Sequence, residues 1–278
     1  MFDAGFRYDN PRLQRAEGEL HVGFRLSGGL TALAALRQSG CLKARFPYRA
    51  DPRWLDVATL NSSGGIAGGD SIAMRFTLGP QTRATIATQA AERIYRVRPG
   101  EAPSNVRTSI DIADGAYAEW LPQETILFDG AALSRLLLVE LGDTACFLGL
   151  EMLVFGRISM GESVKHLFLR DTVRIIRNGK TVTHDITRIQ GDAAALLDRP
   201  AVATGMRGLA TVYYVAPDAE ARLRGIQTML VNAEAGASVM DDLLVARILA
   251  PDGAALRRTV IAALQTLRGR SLPRVWMC

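Results

Sequence analysis

Lysine, histidine, cysteine and aromatic residues are all scarce in this chain, and each shortage removes a class of function. Of 33 basic residues only Lys43, Lys165 and Lys180 are lysines, so arginine carries the net charge of +5. The arginines are scattered, without the clustered stripe or aromatic platform that nucleic-acid binding requires; such a distribution predicts solvated faces and protein contacts. Aromatics make up 6% of the chain, too few to line the cleft of a glycan hydrolase, although Glu124 and Asp129 offer the two carboxylates that chemistry needs. Cys41, Cys146 and Cys278 are odd in number and far apart, which predicts packed thiols and one free terminal thiol rather than a disulfide framework or a zinc knuckle. His21, His166 and His184 stand at neither i, i+3 nor i, i+4 spacing from one another or from a cysteine, so a tight nitrogen and sulfur metal site is not expected.

Long apolar runs are also missing. Thr144–Phe155 contains Glu151 and falls well short of the roughly 20 residues of a membrane span. Met1–Arg7 lacks the basic and apolar regions of a secretory leader, and the cytoplasm is the expected compartment.

What is present is a composition of 48% apolar and 22% charged residues, enough to build a core. Ser71–Leu78 places Ile72, Met74, Phe76 and Leu78 on one face, and Val106–Ile112 repeats the alternation; both predict half-buried strands. Asn178-Gly179 between Val173–Arg177 and Thr181–Ile186 predicts a hairpin, since both central residues of a type I′ turn take positive φ. Turn signals at Gly79-Pro80, Pro99-Gly100, Asp114-Gly115 and Asp129-Gly130 space further strands and argue against alternating βαβ units. Helical periodicity begins only late: Asp218 is expected to cap a helix carrying Leu223, Ile226 and Leu230, and Asp252 a second carrying Leu256, Val260, Leu264 and Leu267. With no linker and no exact repeat, 1–278 reads as one composite domain, β-rich over 1–215 and helix-containing over 216–278.

Gly64-Gly65-Ile66-Ala67-Gly68-Gly69-Asp70 invites a phosphate-binding reading, but Asp70 stands where a P-loop has lysine, and the segment enters a strand rather than a helix. Paired glycines suit tight turns and close backbone approach, and this turn holds one carboxylate at a fixed point.

The same heptapeptide resembles the Gly-Gly-x-x-Gly-Gly-Asp signature of the UreD family, also called UreH, of urease accessory proteins. Ala91-Glu92-Arg93-Ile94-Tyr95-Arg96 is similar to a short family segment, and Glu119-Trp120-Leu121-Pro122-Gln123-Glu124-Thr125-Ile126-Leu127-Phe128-Asp129-Gly130 to its most distinctive stretch. Phe147–Glu151, Phe155-Gly156-Arg157 and Leu272–Trp276 follow in family order, and Gly23–Arg25 and Leu36–Gly40 match its opening, so the resemblance spans nearly the whole chain. Asn61-Ser62-Ser63 departs from it, replacing a His-Pro-Pro common in the family.

The resemblance implies a mainly β fold: a β-helix-like stack of antiparallel and mixed sheets with two C-terminal α-helices. It implies a scaffold without turnover of its own, which binds UreF and UreG and docks on apo-urease to assist nickel insertion, with a homodimer within the complex as one possible arrangement. No cofactor is expected to bind tightly; nickel would be in transit through an internal passage. Carboxylates suit such a passage, because weak oxygen ligands let an ion leave as well as enter. The candidate conduit groups are Asp70, Glu124, Asp129 and Glu151, with Gly64, Gly65, Gly68, Gly69, Tyr95 and Arg157 as structural motif residues. The alternatives are a metal-independent β-scaffold for protein contacts and, for the carboxylates, structural pairing with Arg93, Arg96 or Arg157.

Overall fold

The computed structural model describes residues 14–48 and 51–277; Met1–Arg7 and Cys278 lie outside the described residues. The chain opens with the hairpin β1 (Glu17–Ser27) and β2 (Leu30–Gly40), followed by β3 (Leu42–Arg45) and β4 (Leu55–Asn61). It then winds through β5 (Ser71–Leu78), β6 (Arg83–Thr88), β7 (Glu92–Ile94), β8 (Ser104–Ile112), β9 (Tyr117–Trp120), β10 (Thr125–Leu127), β11 (Ala132–Leu141), β12 (Cys146–Phe155) and β13 (Leu167–Arg177). After β14 (Lys180–Gly191) come α1 (Ala193–Leu197), β15 (Gly208–Val215), α2 (Ala219–Leu230), β16 (Glu234–Met240), β17 (Leu243–Ala250) and α3 (Gly253–Arg268).

Two sheets result. The first runs in the order β14-β13-β11-β8-β5-β1-β2, the second β16-β17-β15-β12-β9-β6-β4-β3. From β4 to β13 the main strands alternate between sheets, so β5, β8, β11 and β13 are parallel neighbours in one, and β4, β6, β9 and β12 in the other. Parallel neighbours ordinarily need a helical crossover; here a strand of the opposite sheet makes the crossing. The short β7 and β10 pair with each other, and β10 with the far end of β12, along the third side of this coil. The β-helix-like, mixed-sheet architecture expected from the sequence is what the chain adopts.

Three layers follow. One core cluster fills the space between the sheets and includes Val22, Phe76, Ile110, Leu133 and Phe147. A second lies between the second sheet and the helices and includes Leu150, Val212, Ile248, Val260 and Leu264. The outer face of the first sheet meets solvent, so β5 and β8 alternate, with Ile72, Phe76, Val106 and Ile110 inward and Arg75 and Arg107 exposed. The second sheet is covered on both faces, so Phe147–Phe155 are buried without alternation, as strands buried on both sides require.

The hairpin at Asn178-Gly179 forms as expected, with φ of 47° and 74° at its two central residues. Asp252 caps α3 by accepting from the Ala255 amide at 2.7 Å. Asp218 precedes α2 without capping it: its carboxylate is taken by the Tyr214 hydroxyl at 2.7 Å and by Arg222 at 2.8 Å. The late part of the chain also carries β16 and β17, which extend the second sheet between the two helices, and the five-residue α1 precedes them. Among the described residues no helix is long and apolar enough to cross a membrane.

Candidate functional site

A cavity of about 480 Å³ opens between the two sheets. Its exposed lining residues, Arg45, Ser62, Gly64, Gln89, Ala90 and Arg93, mark where it meets solvent; inward it is walled by Ile66, Ile72, Val106, Trp120, Leu133 and Leu137, and it reaches Arg135 and Glu151. Met74 lies on the core face of β5 yet stays half-buried, because it faces this space.

The glycine-rich segment builds part of the rim. Ile66 exchanges backbone hydrogen bonds of 2.8 Å with Arg93 and Tyr95, and the Tyr95 hydroxyl donates to the Gly64 carbonyl at 2.8 Å. Gly65, at φ 147°, leaves no room for a side chain: a Cβ would lie 2.3 Å from the Tyr95 ring and 2.9 Å from the Arg93 carbonyl. Tyr95 cannot easily yield, since its ring packs edge-on against Phe128 at 5.3 Å. Gly64, at φ 80°, has open space around it. Gly65→Ala is therefore expected to lower stability by about 2–3 kcal/mol, from the combined backbone and overpacking costs, and Gly64→Ala by only about 1 kcal/mol. Equal midpoints for the two variants in urea unfolding would contradict this account.

Asp70, the residue closing that segment, is a brace. Its carboxylate accepts from the Ala67 amide at 2.7 Å and the Ala16 amide at 2.8 Å, and it is 5% exposed. Asp129 also works as a turn anchor: Oδ1 accepts from the Lys165 and His166 amides at 2.8 Å each, and Oδ2 meets Arg96 at 3.1 Å. Burial opposes its ionisation, yet those amides and the charges of His166 and Arg96 hold its carboxyl below the usual range. Glu124 pairs with Arg257 at 3.5 Å. Next to it, Gln123 bonds the Val275 carbonyl at 2.7 Å and accepts from Arg257, whose guanidinium also lies over the Trp276 ring. This ties the C-terminal turn beside the cavity wall. Arg157 pairs with Glu162 at 2.8 Å and stacks on Phe128.

Of the four candidate carboxylates, Glu151 lines the cavity. It projects from β12 and is 7% exposed, and its Oε1 accepts from the Trp120 indole at 3.0 Å. The arginine that faces it is Arg135 of β11, at 2.9 Å from Oε2, and not Arg157. Arg157 follows β12 beyond Gly156, whereas Arg135 points across the core from the opposite sheet. Arg135 also grips Asp171 through Nε at 2.8 Å and Nη2 at 2.5 Å. Burial pushes the Glu151 carboxyl up to about 7, with Asp171 adding to the rise and Arg135 and Trp120 opposing it.

Glu92 stands nearer the solvent end. Asn61 donates to it at 3.2 Å, and burial raises its carboxyl above the usual range against that bond and Arg93. Asn61 thus occupies the cavity rim as a support for a carboxylate. Arg135, Asp171 and Glu92 were not singled out by sequence reasoning; the signal available was a charged residue at an inward position of an alternating strand, as with Arg135 between Leu133 and Leu137. The three histidines do not enter the cavity: His166 sits at Asp129, His21 at Thr77, and His184 is exposed opposite Arg174. Among the described residues no three His, Cys, Asp or Glu side chains are grouped to hold a metal ion.

A family model described as UreD urease accessory protein matches residues 16–277. A urease accessory protein UreD from Methylobacterium sp. is 42% identical over 275 residues, covering 96% of each chain. One from Xanthobacter autotrophicus is 43% identical over 265 residues, covering 95% of this chain and 90% of the relative. Another, from Ruegeria pomeroyi, is 42% identical over 252 residues, covering 91% and 97% respectively.

Proposed function

Because this chain belongs to the UreD family of urease accessory proteins, we propose that it acts in the cytoplasm as a non-catalytic scaffold that passes nickel toward apo-urease, in a complex with UreF and UreG. The observation that carries this reading is the cavity between the sheets, which begins near Glu92 and reaches the buried Glu151. Nickel is cargo here, and the donor set suits cargo. Isolated carboxylates at separate points along an apolar passage bind a divalent ion weakly, and an ion that is to leave must not be held by a closed cage of nitrogen and sulfur ligands. The Glu151 carboxyl, pushed up to about 7 by burial, weakens the hold further near neutral pH, since a proton competes with the ion. Asp70, Glu124 and Asp129 then serve to brace the walls and turns around the passage, and Glu92 joins Glu151 as a conduit group.

Glu151→Gln and Glu92→Gln are expected to reduce the nickel content of co-expressed urease at least several-fold, while the complex with UreF and UreG still assembles. Nickel is read by atomic spectroscopy on purified urease and assembly by co-purification. Full nickel loading with both variants would favour the metal-independent scaffold instead.

A further inference from the structure

At the inner end of the cavity two carboxylates from different sheets share one guanidinium. Asp171 of β13 is 6% exposed and Glu151 7%, while the Arg135 side chain between them is 12% exposed. Arg135 holds both oxygens of Asp171, stands 2.9 Å from Glu151 Oε2, and donates through Nη1 to Thr125 Oγ1 at 2.9 Å on the cavity side. Glu151 Oε2 is buried and makes no hydrogen bond, the approach of Arg135 lacking the required geometry. The trio carries a formal charge of −1, so one monovalent cation underfills a site bearing two negative charges. Beyond it lies a second cavity of about 20 Å³, room for roughly one water, lined by Glu151, Asp171, Asp185 and Tyr213. Glu151 borders both spaces, and Arg135 the larger one.

We propose that Arg135 is an exchangeable plug: its guanidinium occupies the place between Glu151 and Asp171 that a divalent cation takes, and a cation arriving along the cavity displaces it. The proposal rests on the conduit reading of the cavity. A guanidinium does not lose its proton in proteins, so it yields the site only by moving, and the long side chain already has a foothold at Thr125 on the side facing the larger space. Buried like charges left without a cation are strongly unfavourable. The site is therefore always filled, by the arginine at rest and by the divalent ion in transit. Arginine in this place also keeps a stray monovalent ion from settling there, because such an ion offers no more charge than the guanidinium and lacks its bidentate fit to a carboxylate.

The test uses the full chain alone and nickel chloride as the probe. The Trp120 indole is bonded to Glu151, so paramagnetic nickel at Glu151 quenches its fluorescence, and Trp120→Phe identifies that component against Trp54 and Trp276. Arg135→Gln is expected to bind nickel at this site at least ten-fold more tightly than the native chain, and Arg135→Gln with Glu151→Gln to lose the gain. Arg135→Lys, which keeps a charge but gives up the bidentate grip, is expected to fall between and carries the test if the glutamine variant does not fold. A folded variant with quenching indistinguishable from the native chain overturns the plug. If quenching tightens as expected while urease loads fully with Glu151→Gln, the exchange site stands and the delivery reading fails; the opposite pattern leaves delivery standing without the plug.

Discussion

Replacing Glu119 by glutamine is expected to cost about 3–5 kcal/mol of folding stability, a large fraction of the roughly 5–15 kcal/mol that a domain possesses. Glu119 lies on β9, 1% exposed, and meets two arginines, Arg268 at the end of α3 and Arg270 just beyond it. Arg268, with a side chain wholly buried, places Nη2 at 2.8 Å from Oε2, and Arg270 places its own at 2.6 Å. Thr85 donates to the same oxygen at 2.8 Å. The carboxylate is thus the counter-charge that lets α3 end against the second sheet. Glutamine keeps the shape but leaves the buried Arg268 and the half-buried Arg270 facing an amide. Arg270→Met is expected to cost less, because Arg270 is 22% exposed and its guanidinium lies over the Trp54 ring, a surface that methionine also covers. Urea unfolding followed by circular dichroism checks both. A loss for Glu119→Gln no greater than that for Arg37→Ala, at an exposed pair worth about 0–1 kcal/mol, would refute the account.

The second large effect has the opposite sign. Glu151→Gln is expected to stabilise the protein at pH 8 and to leave it nearly unchanged at pH 4. A glutamate carboxyl that titrates near 4.5 in the unfolded chain and at about 7 in the fold takes up a proton on folding between those values. The native chain therefore loses stability as pH rises from about 4.5 to 7 and does not regain it above. At 1.36 kcal/mol per pH unit the difference is on the order of 3 kcal/mol. The charged groups around Glu151 are Arg135 and Asp171, with Trp120 bonded to it and the Tyr213 phenol, kept protonated by burial and by its bond to Asp185, close by. With glutamine at 151, Arg135 and Asp171 form a balanced pair and the Trp120 bond has an acceptor still. Thermal melts of both proteins between pH 4 and 8 give the comparison; parallel curves would show that Glu151 is not strained by burial. A variant that is more stable at pH 8 and poorer in nickel delivery is the trade expected where a functional site keeps an unfavourable charge.

Much of the fold was legible because it rests on local periodicity. Strands with one solvated face, β5 and β8, announce themselves by alternation, and the hairpin at Asn178-Gly179 by a dipeptide that tolerates positive φ at both places. The unalternating run Thr144–Phe155 was legible as apolar but not as a central strand, since that follows only from α2 and α3 covering the far side of the sheet. Asp218 misled as a cap because a carboxylate before a helix has other donors to choose from, and the Tyr214 hydroxyl and Arg222 are nearer to hand than the helix amides.

By itself the sequence determined the β-rich class, the family and the short list of carboxylates sitting among apolar residues, because composition, period and motif are properties of neighbouring residues along the chain. Only the tertiary structure decided which of those carboxylates faces open space and which arginine meets each one. Glu151 and Arg135 are 16 residues apart, on strands of opposite sheets, and Glu119 and Arg268 are separated by 149. Such pairings depend on how the coil of strands stacks, and charge attraction between distant residues leaves no local pattern to read.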